Sequence, residues 1–332
     1  VTANKALLAT CGSEIFGLAE KTNTDIYFGA SVGGGIPIIR ALREGLLANR
    51  IESIYGILNG TCNYILTKME KEKLVFGAAL EEAQAKGYAE ANPSLDIDGI
   101  DTAHKAVILA SLAYGRIVPM ESVHVEGIRS VTETDIRYAH DLGYRIKLLA
   151  VVKRLGGQVE VRVNPALVPL DHVLASVSGV YNAVLVRGDM TGETLYYGRG
   201  AGRKPTASTV ISDVADIIRN LVAESPRRVP AVARADAKVK VMDPGKSESK
   251  HYFRLSLKDK AGVLAKITSL LGKHGISIAS VMQKESGTGR HVPVVIVTHR
   301  ATKGEVDAAL KEIGGLGVID AKPVWLRIED WK

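Results

Sequence analysis

Apolar residues recur at two spacings along the chain, and each spacing predicts its own kind of element. Spacings of three and four residues are typical of helices that bury one face, and they occur in residues 6–22, 37–42, 62–73, 77–86, 100–109, 207–222, 261–275 and 303–315. Alternating or continuous apolar runs between turn residues are typical of strands, and they occur in residues 25–31, 51–58, 123–131, 144–153, 158–163, 181–187, 251–259, 276–285, 291–299 and 321–329. The mixture predicts an α/β and α+β protein.

The segment GYAEANPSLDIDGIDTAHKAVIL concentrates polar residues before an apolar helix. Gly87 follows a predicted helix and can take the left-handed conformation that often ends one. Pro93 lacks an N–H, so we expect no immediate helix restart there. Asp98 offers an N-cap for the next helix, on which Asp101 and Lys105 lie four residues apart on one face.

This segment thus holds one lysine close to several carboxylates. Such a lysine can serve as an acid/base group beside an anchor for a substrate ammonium. The alternative is a solvated helix pair worth about 0.3–0.5 kcal/mol. The spacing of Asp101 and Lys105 does not by itself distinguish the two.

Two glycine-containing turns precede predicted helices. The first, VGGGIP at residues 32–37, follows a predicted strand, and Pro37 suits the first turn of the next helix. Glycines there let a ligand approach the backbone, and helix N-termini attract anions. However, the turn is not the GxGxxG dinucleotide fingerprint, so a tight structural turn is an equal alternative. In the second, Asn59-Gly60-Thr61, we expect Thr61 to be the N-cap.

The C-terminal part of the chain has a separate pattern. Residues 225–249 contain prolines and many Lys and Arg residues with little apolar period, which predicts a linker. The elements after it follow the order β-α-β-β-α-β, which is ferredoxin-like.

Composition narrows the classes of function. No apolar run reaches the roughly 18 residues of a membrane span, and the start, VTANKALLAT, lacks a signal-peptide pattern. Cys11 and Cys62 form neither a metal spacing nor a disulfide framework, which favours a reducing, cytoplasmic location. The net charge is +7, but the basic residues are not interleaved with aromatics. We therefore expect a small anionic ligand and neither nucleic acid nor membrane as partner.

The segment GYAEANPSLDIDGIDTAHK resembles the substrate-binding signature of homoserine dehydrogenases, GYxExxPxxDxxGxDxxxK, at every fixed position. VTANK, VGGGIPI and LNGTCNYIL also resemble that family's pattern, in the same order, and the resemblance extends from residue 1 to about residue 224. It implies reversible, NAD- or NADP-dependent reduction of L-aspartate 4-semialdehyde to L-homoserine, in the biosynthesis of threonine, methionine and isoleucine.

The resemblance also implies roles for individual residues. Lys105 would donate the proton to the developing alkoxide, and Lys5 would lie across the cleft, near nicotinamide and substrate. The implied substrate-binding residues are Glu90, Asp101, Asp96 and Tyr88, with Glu90 suited to the α-ammonium. The implied cofactor-binding residues are Lys5, Gly87, Glu90 and Gly202.

Two departures from the family pattern concern the metal and the cofactor. The family usually has a glutamate before the VGGGIP turn as a ligand of a monovalent cation, whereas this chain has Gly29. The implied ligands that remain are the backbone carbonyls of Val32, Gly34 and Ile36, so the cation site is in doubt. The glycine fingerprint of a nucleotide-binding half is also missing, which leaves open the choice of NAD or NADP and turnover by this polypeptide alone.

The segment LKDKAGVLAKITSLLGKHGISIASV resembles the ACT domain, a small amino-acid-binding regulatory module. The resemblance implies an effector site that includes Asp259 and Gly262, and L-threonine is the expected effector. ACT modules commonly pair side by side, so we expect a homodimer or homotetramer. The alternative is an inert dimerisation unit.

These inferences divide the chain into four parts. Residues 1–26 are the end of a Rossmann-like nucleotide-binding domain, and residues 27–224 are an α+β catalytic and dimerisation domain with a mixed sheet, of which 196–224 return toward the nucleotide domain. Residues 225–249 are a linker, and 250–332 are a ferredoxin-like ACT domain.

Two other functions compete with the dehydrogenase. One is a non-catalytic amino-acid sensor, against which the intact set of Glu90, Asp101 and Lys105 argues. The other is a semialdehyde dehydrogenase with a catalytic cysteine, but neither Cys11 nor Cys62 has a histidine nearby to activate it.

Overall fold

The computed structural model describes residues 1–230, 232, 234–283 and 291–331. The helices are α1 Lys5–Thr10, α2 Gly12–Lys21, α3 Ile38–Arg40, α4 Gly60–Lys71, α5 Phe76–Ala85, α6 Ser94–Ile97, α7 Ile100–Tyr114, α8 Glu133–Asp141, α9 Arg203–Val222, α10 Val263–Lys273 and α11 Lys303–Gly314. The strands are β1 Ile51–Ile57, β2 Arg116–Ile117, β3 His124–Val125, β4 Tyr144–Leu155, β5 Gln158–Pro169, β6 Tyr181–Gly188, β7 Gly192–Arg199, β8 Arg234–Lys238, β9 Glu248–Lys258, β10 Ile278–Gln283, β11 His291–Thr298, β12 Ala301–Thr302 and β13 Val324–Ile328.

The described residues form two compact units. The first contains Val1–Arg129, Leu148–Asn164 and Ser176–Met242. The second contains Ser130–Lys147, Pro165–Ala175 and the described part of Asp243–Lys332. Each unit is built from segments that are distant in sequence, so the predicted four-part division, whose boundaries stay predictions, does not coincide with this grouping.

The first unit is organised around a mixed sheet. Strands β4, β1, β6 and β7 follow one another in this order, and β1 is antiparallel to both of its neighbours. Strand β5 lies beside β4, and the short β3 pairs with it in parallel. Gly156 and Gly157 join β4 to β5 with φ values of 52° and 83°, which is the left-handed pair that a tight hairpin turn requires. The mixed sheet agrees with the predicted fold class.

The polar segment that resembles the family signature continues into helix α7, which lies in the interior of the first unit. Small residues along it, including Ala103, Ala106 and Ala110, are fully buried, so neighbouring elements approach the helix closely. Helix α1 packs against it, and Gly115 ends it with a φ of 64°. The helix is therefore buried over most of its length.

The second unit contains the ferredoxin-like fold that the sequence predicts. Its antiparallel strands are ordered β13, β9, β11 and β10, and β13 also pairs in parallel with Ala166 and Leu167 of β5. Residues from both helices, such as Ile267 of α10 and Val306 of α11, join strand residues such as Phe253 in one buried cluster. The two helices thus supply the apolar layer over this sheet.

Helix α8 is fixed to strand β9 by a buried ion pair within the second unit. Asp135 is fully buried and accepts hydrogen bonds from Arg254 at 2.6 and 3.0 Å and from the Tyr252 hydroxyl at 3.1 Å. The Thr132 hydroxyl and backbone N–H also donate to Asp135, which completes a capping box at the start of α8. The donors from β9 thus fix α8 to that strand, and the donors from Thr132 close the start of the helix.

Most predicted strands of the first unit are confirmed, but three segments differ from expectation. Residues 25–31 form no strand: Gly29–Ser31 is a 3₁₀ turn, and the Gly29 N–H donates to Asp213 at 2.8 Å instead of entering a ladder. Only His124–Val125 of residues 123–131 is a strand. Residues 188–202, for which the sequence pattern predicts neither a helix nor a strand, contain β7, the second arm of a hairpin with β6.

Several helix boundaries also differ from the predicted ones. The predicted helix 6–22 breaks at Cys11 into α1 and α2. Asn59, and not Thr61, caps α4, and Gly99, and not Asp98, precedes α7. A short helix begins directly after Pro93, because the first turn of a helix needs no N–H from proline.

Residues 225–249 contain more regular structure than a linker requires. Strand β8 pairs in parallel with β2, a 3₁₀ turn spans Pro244–Lys246, and β9 begins at Glu248. The predicted strand 276–285 is present as β10, and its last two positions lie outside the described residues.

Within the part of the chain that the structure describes, no helix combines the length and apolar character needed to span a membrane.

Candidate active site

A cavity of about 400 Å³ in the first unit collects most of the predicted site residues. The predicted residues that line it are Lys5, Gly87, Tyr88, Asp96, Asp101, Lys105 and Gly202. The lining also contains residues that were not predicted from the sequence as site residues, namely Asn59, Gly60, Thr61, Val180, Arg199 and Ala201. The predicted residue Glu90 is exposed, is not part of the lining, and offers its backbone carbonyl to Gln84 at 3.0 Å.

The start of α7 sets the position of the acidic and basic groups. Gly99 has a φ of 84°, and a Cβ there would lie 3.2 Å from Val125 and 3.3 Å from the carbonyl oxygen of Glu126. A side chain at this position would therefore be both strained and crowded. The turn places Asp101 in the first turn of the helix, where the macrodipole stabilises a carboxylate, and Lys105 one turn later.

Lys105 is a nearly buried ammonium with two protein acceptors. Its Nζ donates to Asp101 Oδ2 at 2.6 Å and to the Leu58 carbonyl at 2.8 Å, and its side chain is only 11% exposed. An ammonium has three N–H donors, and among the described residues no acceptor takes the third. Because Lys105 lines the cavity, that N–H is available to a bound molecule.

A second lysine approaches the same carboxylate from α1. Lys5 Nζ lies 3.2 Å from Asp101 Oδ1, and its side chain is 42% exposed. The Asn4 side chain caps α1 by accepting the Leu7 N–H, so the position of Lys5 on the first turn is defined. Asp101 is thus shared by two ammonium groups.

The two carboxyl groups of the cavity have opposite pKa shifts. Burial raises the pKa of Asp101, but the charge and hydrogen bond of Lys105, together with Lys5 and Asn59, hold it below its ordinary value. Burial raises the pKa of Asp96 above its ordinary value, against the hydrogen bond from Asn59 and with the support of the Asp101 charge. Neighbouring carboxyls with separated pKa values are typical of sites that handle protons.

Asn59 connects the two carboxyl groups. Its Nδ2 donates to Asp96 Oδ1 at 2.6 Å and to Asp101 Oδ2 at 2.9 Å. Its Oδ1 accepts the Cys62 N–H at 2.8 Å and so caps α4. The strong preference of helix N-caps for asparagine was the signal in the sequence, and our choice of Thr61 as the cap missed it.

The loop at Tyr88 is held by contacts with α4. The Thr61 hydroxyl donates to the Tyr88 carbonyl at 2.5 Å, and the Tyr88 ring lies 4.9 Å from the ring of Tyr64. These contacts place the backbone of the predicted loop at the cavity.

Glycines leave part of the lining without side chains. Gly87 and Gly202 have φ values of 70° and 124°, which L side chains rarely adopt, and nothing lies within 4 Å of a Cβ added at Gly87. Gly60 is restricted differently, since its Cβ would lie 2.8 Å from the Val180 carbonyl oxygen. A flat ring can therefore approach the backbone beside Lys5.

Arg199 is a further cation of the lining. Its guanidinium lies 5.8 Å from the centre of the Tyr181 ring, and no carboxylate of the described residues lies within salt-bridge distance. Arg199 is the last residue of β7, a segment for which the sequence pattern predicts no strand, so nothing in that pattern pointed to this side chain.

The resemblance implies a cation at the glycine turn, but the space beside Gly29 is already occupied by other side chains. A Cβ at Gly29 would lie 2.7 Å from Thr209 Cγ2 and 2.9 Å from Asp213 Oδ1. The Gly34 carbonyl accepts the Thr209 hydroxyl at 2.6 Å, and the Ile36 carbonyl accepts the Ile38 N–H at 2.8 Å. Among the described residues, only the third implied ligand, the carbonyl of Val32, has no donor.

The thiol of Cys62 and the arrangement of possible metal ligands bear on two other kinds of site. Burial and the charge of Asp96 raise the pKa of the Cys62 thiol well above its ordinary value, and the thiol donates to the Asp96 carbonyl at 3.2 Å, so it is no thiolate nucleophile. Within residues 1–230, 232, 234–283 and 291–331, no group of three His, Cys, Asp or Glu side chains is arranged to hold a metal ion.

The predicted effector residues lie in the second unit. Gly262 precedes α10 with a φ of 83°, and no atom lies within 4 Å of an added Cβ. Asp259 and Gly262 are both exposed, so the loop before α10 is open to solvent in the described chain.

Comparisons with known proteins agree with the geometry. The homoserine dehydrogenase domain family matches residues 37–215, and the ACT domain family matches residues 251–315. The chain is 46% identical to a homoserine dehydrogenase of Neisseria gonorrhoeae over 332 residues, which are 99% of this chain and 76% of that protein. It is 45% identical to the Pseudomonas aeruginosa homoserine dehydrogenase, over 99% of this chain and 77% of that protein.

Solved structures give the same result. A homoserine dehydrogenase from Thiobacillus denitrificans is similar with a TM-score of 0.93 and 44% identity, over 99% of this chain and 76% of that one. A hyperthermophilic archaeal homoserine dehydrogenase mutant in complex with NADPH is similar with a TM-score of 0.57 and 36% identity, over 67% of this chain and 64% of that one. The chain therefore belongs to the homoserine dehydrogenase family of oxidoreductases and carries an ACT domain.

Proposed function

We propose that the protein interconverts L-aspartate 4-semialdehyde and L-homoserine in the cavity of the first unit, with Lys105 as the group that moves the proton. The observation that carries this proposal is the ammonium of Lys105, which lines the cavity with two N–H groups bound to Asp101 and Leu58 and the third available. An aldehyde oxygen that accepts this N–H becomes more electrophilic at its carbon, and the charge that develops during reduction is stabilised.

The residues around Lys105 then have defined tasks. The nicotinamide, when bound, supplies the hydride in reduction and accepts it in oxidation. Lys105 gives its proton to the oxygen that becomes the hydroxyl and takes it back in the reverse direction. Asp101 keeps the ammonium oriented and favours its return to the charged form, and Lys5, on the other oxygen of Asp101, adds positive charge at the cavity.

For substrate binding, the proposal combines resemblance and geometry. The resemblance assigns the α-ammonium to Glu90, with Asp101, Asp96 and Tyr88 as further contacts. In this structure Asp96 is the carboxyl that lines the cavity beside Asp101, whereas Glu90 is exposed outside it. We therefore propose Asp96 as a second anchor for the ammonium and retain Glu90 as a contact to be tested.

For the cofactor, we propose NADP or NAD, bound beside Lys5, Gly87 and Gly202, with Glu90 nearby. The fit rests on the left-handed glycines and on the open space at Gly87, which permit a planar ring to lie against the backbone. The similar archaeal enzyme was solved with NADPH, which supports the same class of cofactor.

For the monovalent cation, we propose that this chain has no site of the family's kind. Position 29 has no room for a side chain beside Thr209 and Asp213. Two of the three implied carbonyl ligands, those of Gly34 and Ile36, already accept protein hydrogen bonds.

For regulation, we propose that L-threonine binds the loop of Asp259 and Gly262 and lowers activity, and that the protein is a homodimer or homotetramer in the cytoplasm. The ACT domain at residues 251–315 supports an amino acid as effector. The exposed loop and the left-handed Gly262 leave room for the backbone groups of such a ligand.

Substitution of Lys105 by methionine tests the reaction. Lys105→Met removes the proton donor but keeps most of the side-chain volume, so kcat should fall by roughly 10²–10⁴-fold. The measurement is the initial rate of NADPH consumption with L-aspartate 4-semialdehyde. Lys71→Met, an exposed lysine on α4, is the matched control and should keep the original rate. Near-normal turnover of folded Lys105→Met would refute the assignment.

Two further substitutions assign the ammonium contact. Glu90→Gln and Asp96→Asn each remove one negative charge, and the loss of a contact made in ground and transition states raises KM more than it lowers kcat. If Asp96 is the anchor, Asp96→Asn raises the KM for L-homoserine and Glu90→Gln leaves it nearly unchanged. The opposite result would return the role to Glu90.

A further inference from the structure

Asn59 occupies a position where three hydrogen bonds define its orientation. Its side chain is buried, and the amide oxygen accepts the Cys62 N–H at 2.8 Å at the start of α4. The NH₂ group must then face away from the helix, and it reaches Asp96 at 2.6 Å and Asp101 at 2.9 Å. The helix cap thus fixes which end of the amide meets the carboxylates.

The two carboxylates need such a donor because they are close neighbours. Like charges disfavour each other's ionised form, and a hydrogen bond to the charged form favours it. Asn59 supplies one N–H to each carboxylate without adding a charge of its own.

The same amide also limits the movement of Asp101. Oδ2 of Asp101 accepts from both Asn59 and Lys105, at 2.9 and 2.6 Å, while Lys5 lies 3.2 Å from Oδ1. Asn59 is the uncharged member of these three donors, and it is anchored to a different helix from Lys105. It therefore sets the orientation of the carboxylate independently of the two lysines.

We propose that Asn59 is a positioning residue of the reaction: its amide holds Asp101 where it presents Lys105 to the substrate and holds Asp96 beside it. This inference rests on the proposed role of Lys105. Asn59 itself moves no proton in this scheme, and its effect on catalysis passes through the two carboxylates.

Two variants separate this role from that of a helix cap. Serine and aspartate are about as good as asparagine at an N-cap, so Asn59→Ser and Asn59→Asp both keep an acceptor for the Cys62 N–H. Asn59→Ser loses the reach to the carboxylates. Asn59→Asp keeps the shape of the side chain but replaces the NH₂ group with a carboxylate oxygen.

The readouts are kcat, KM and the pH profile of kcat/KM for the reduction of L-aspartate 4-semialdehyde, in which Lys105 starts as the charged ammonium. Asn59→Ser should lower kcat by roughly 10- to 100-fold, the scale of effect that small misplacements of catalytic groups produce. Asn59→Asp adds a third negative group, which raises the pKa of its carboxyl neighbours. Activity that needs ionised Asp101 is then lost at a higher pH, so the acid limb of the profile should move upward by about one unit or more.

Asn63 provides the matched control. It is another buried asparagine of α4, and its amide donates to the carbonyls of Gly179 and Tyr181 at 3.0 and 3.1 Å, away from the carboxylates. Asn63→Ser should leave kcat and the acid limb unchanged even where it lowers stability. Equal losses in Asn63→Ser and Asn59→Ser, or a wild-type profile in both folded Asn59 variants, would overturn the proposal.

A measurement that leaves Asn59 itself unchanged completes the test. In ¹⁵N-labelled protein, the side-chain amide resonance of Asn59 should shift with the titration of the carboxyl groups and respond to Lys105→Met. The absence of any pH response would contradict the contact even if every variant failed to fold. Failure of the proposed reaction would show itself separately, as unaffected turnover in Lys105→Met, and would leave this resonance as the test of Asn59.

Discussion

Gly29 illustrates at the scale of one residue how a missing side chain changes the chemistry of a turn. The family pattern has a glutamate at this position, as the ligand of a monovalent cation. In the structure the space is filled by α9, because Thr209 and Asp213 would lie within 2.7–2.9 Å of a Cβ at Gly29, a separation that real Cβ atoms essentially never show. The turn and the helix therefore fit each other only when position 29 has no side chain.

The resulting prediction concerns monovalent salts. Exchange of sodium for potassium or tetramethylammonium chloride at constant ionic strength should leave the rate of L-homoserine oxidation unchanged. Gly29→Glu should lower the midpoint of thermal unfolding, because α9 has to move, and should not create a cation response. A marked dependence on sodium or potassium in the unaltered chain would show that the backbone carbonyls suffice as ligands.

At this scale the sequence identified the charged members of the cavity better than the neutral ones. Lys5, Asp101 and Lys105 stood in patterns that could be matched, and the structure brings all three together. Asn59 was visible only as a turn residue, because its two carboxylate partners are distant in sequence and their convergence depends on the fold. Glu90 matched the pattern equally well, but the conformation of its loop leaves it exposed.

At the scale of elements, the contact between α8 and β9 is a sharp case of a buried charge pair. Asp135 has no exposed surface, and Arg254 donates two hydrogen bonds to it. Asp135 raises the pKa of Arg254 against the effect of burial, so the guanidinium stays charged. Removal of one partner leaves the other charge buried without compensation, which costs far more than the pair contributes.

Asp135→Ala should therefore lower the free energy of unfolding by about 3–5 kcal/mol. Urea titration followed by tryptophan fluorescence measures this free energy. The probe is suitable because both tryptophans of the chain, Trp325 and Trp331, belong to the second unit. The control is Glu133→Ala, at an exposed position on the same helix. It should change the free energy of unfolding by less than about 0.5 kcal/mol.

The double substitution Asp135→Leu with Arg254→Met tests the cause. This variant has neither charge, so it should recover much of the free energy of unfolding that Asp135→Ala loses. Buried ion pairs can often be replaced by apolar residues at little cost in stability. A loss in the double variant as large as in Asp135→Ala would show that packing, and not the uncompensated charge, is responsible.

An element was predicted accurately where its own residues have a clear apolar pattern, and less accurately where they do not. The strands with long apolar runs, such as β4 and β6, were located to within a few residues, because their sequences suit a buried pleated surface. Strand β7, which pairs with β6, was missed. About every second residue along it is exposed and glycines lie near both of its ends, so its sequence has no apolar run. The segment 25–31 has a strand-like composition, but among the described residues no strand pairs with it, and composition alone cannot supply a partner.

At the scale of the whole molecule, the interleaved segments of the two units decide how regulation can be tested. The predicted bounds of the linker and the ACT domain suggest that truncation near residue 237 would remove the ACT domain alone. The structure shows that the second unit also contains Ser130–Lys147 and Pro165–Ala175. Truncation would leave Asp135 without Arg254 and Tyr252, so a loss of activity would not report on the effector.

A point substitution in the loop before α10 avoids this problem. Gly262→Val forces a β-branched side chain onto a φ of 83° and fills the space in front of the helix, while the lining of the catalytic cavity is untouched. If L-threonine binds there, it inhibits because it prefers the less active arrangement. Loss of that preference should raise the threonine concentration for half-inhibition by roughly 5–150-fold, the range of typical allosteric couplings, with kcat nearly unchanged.

Gly272→Val is the control, because Gly272 lies on the same helix, is exposed and has no atom within 4 Å of an added Cβ. It should keep the original response to threonine, which shows that disturbance of α10 alone does not remove inhibition. The measurement is the rate of L-homoserine oxidation against threonine concentration for both variants and the unaltered chain. If Gly262→Val retains the original inhibition while threonine still inhibits the unaltered chain, the effector binds elsewhere. The ACT domain would then act only as a dimerisation unit.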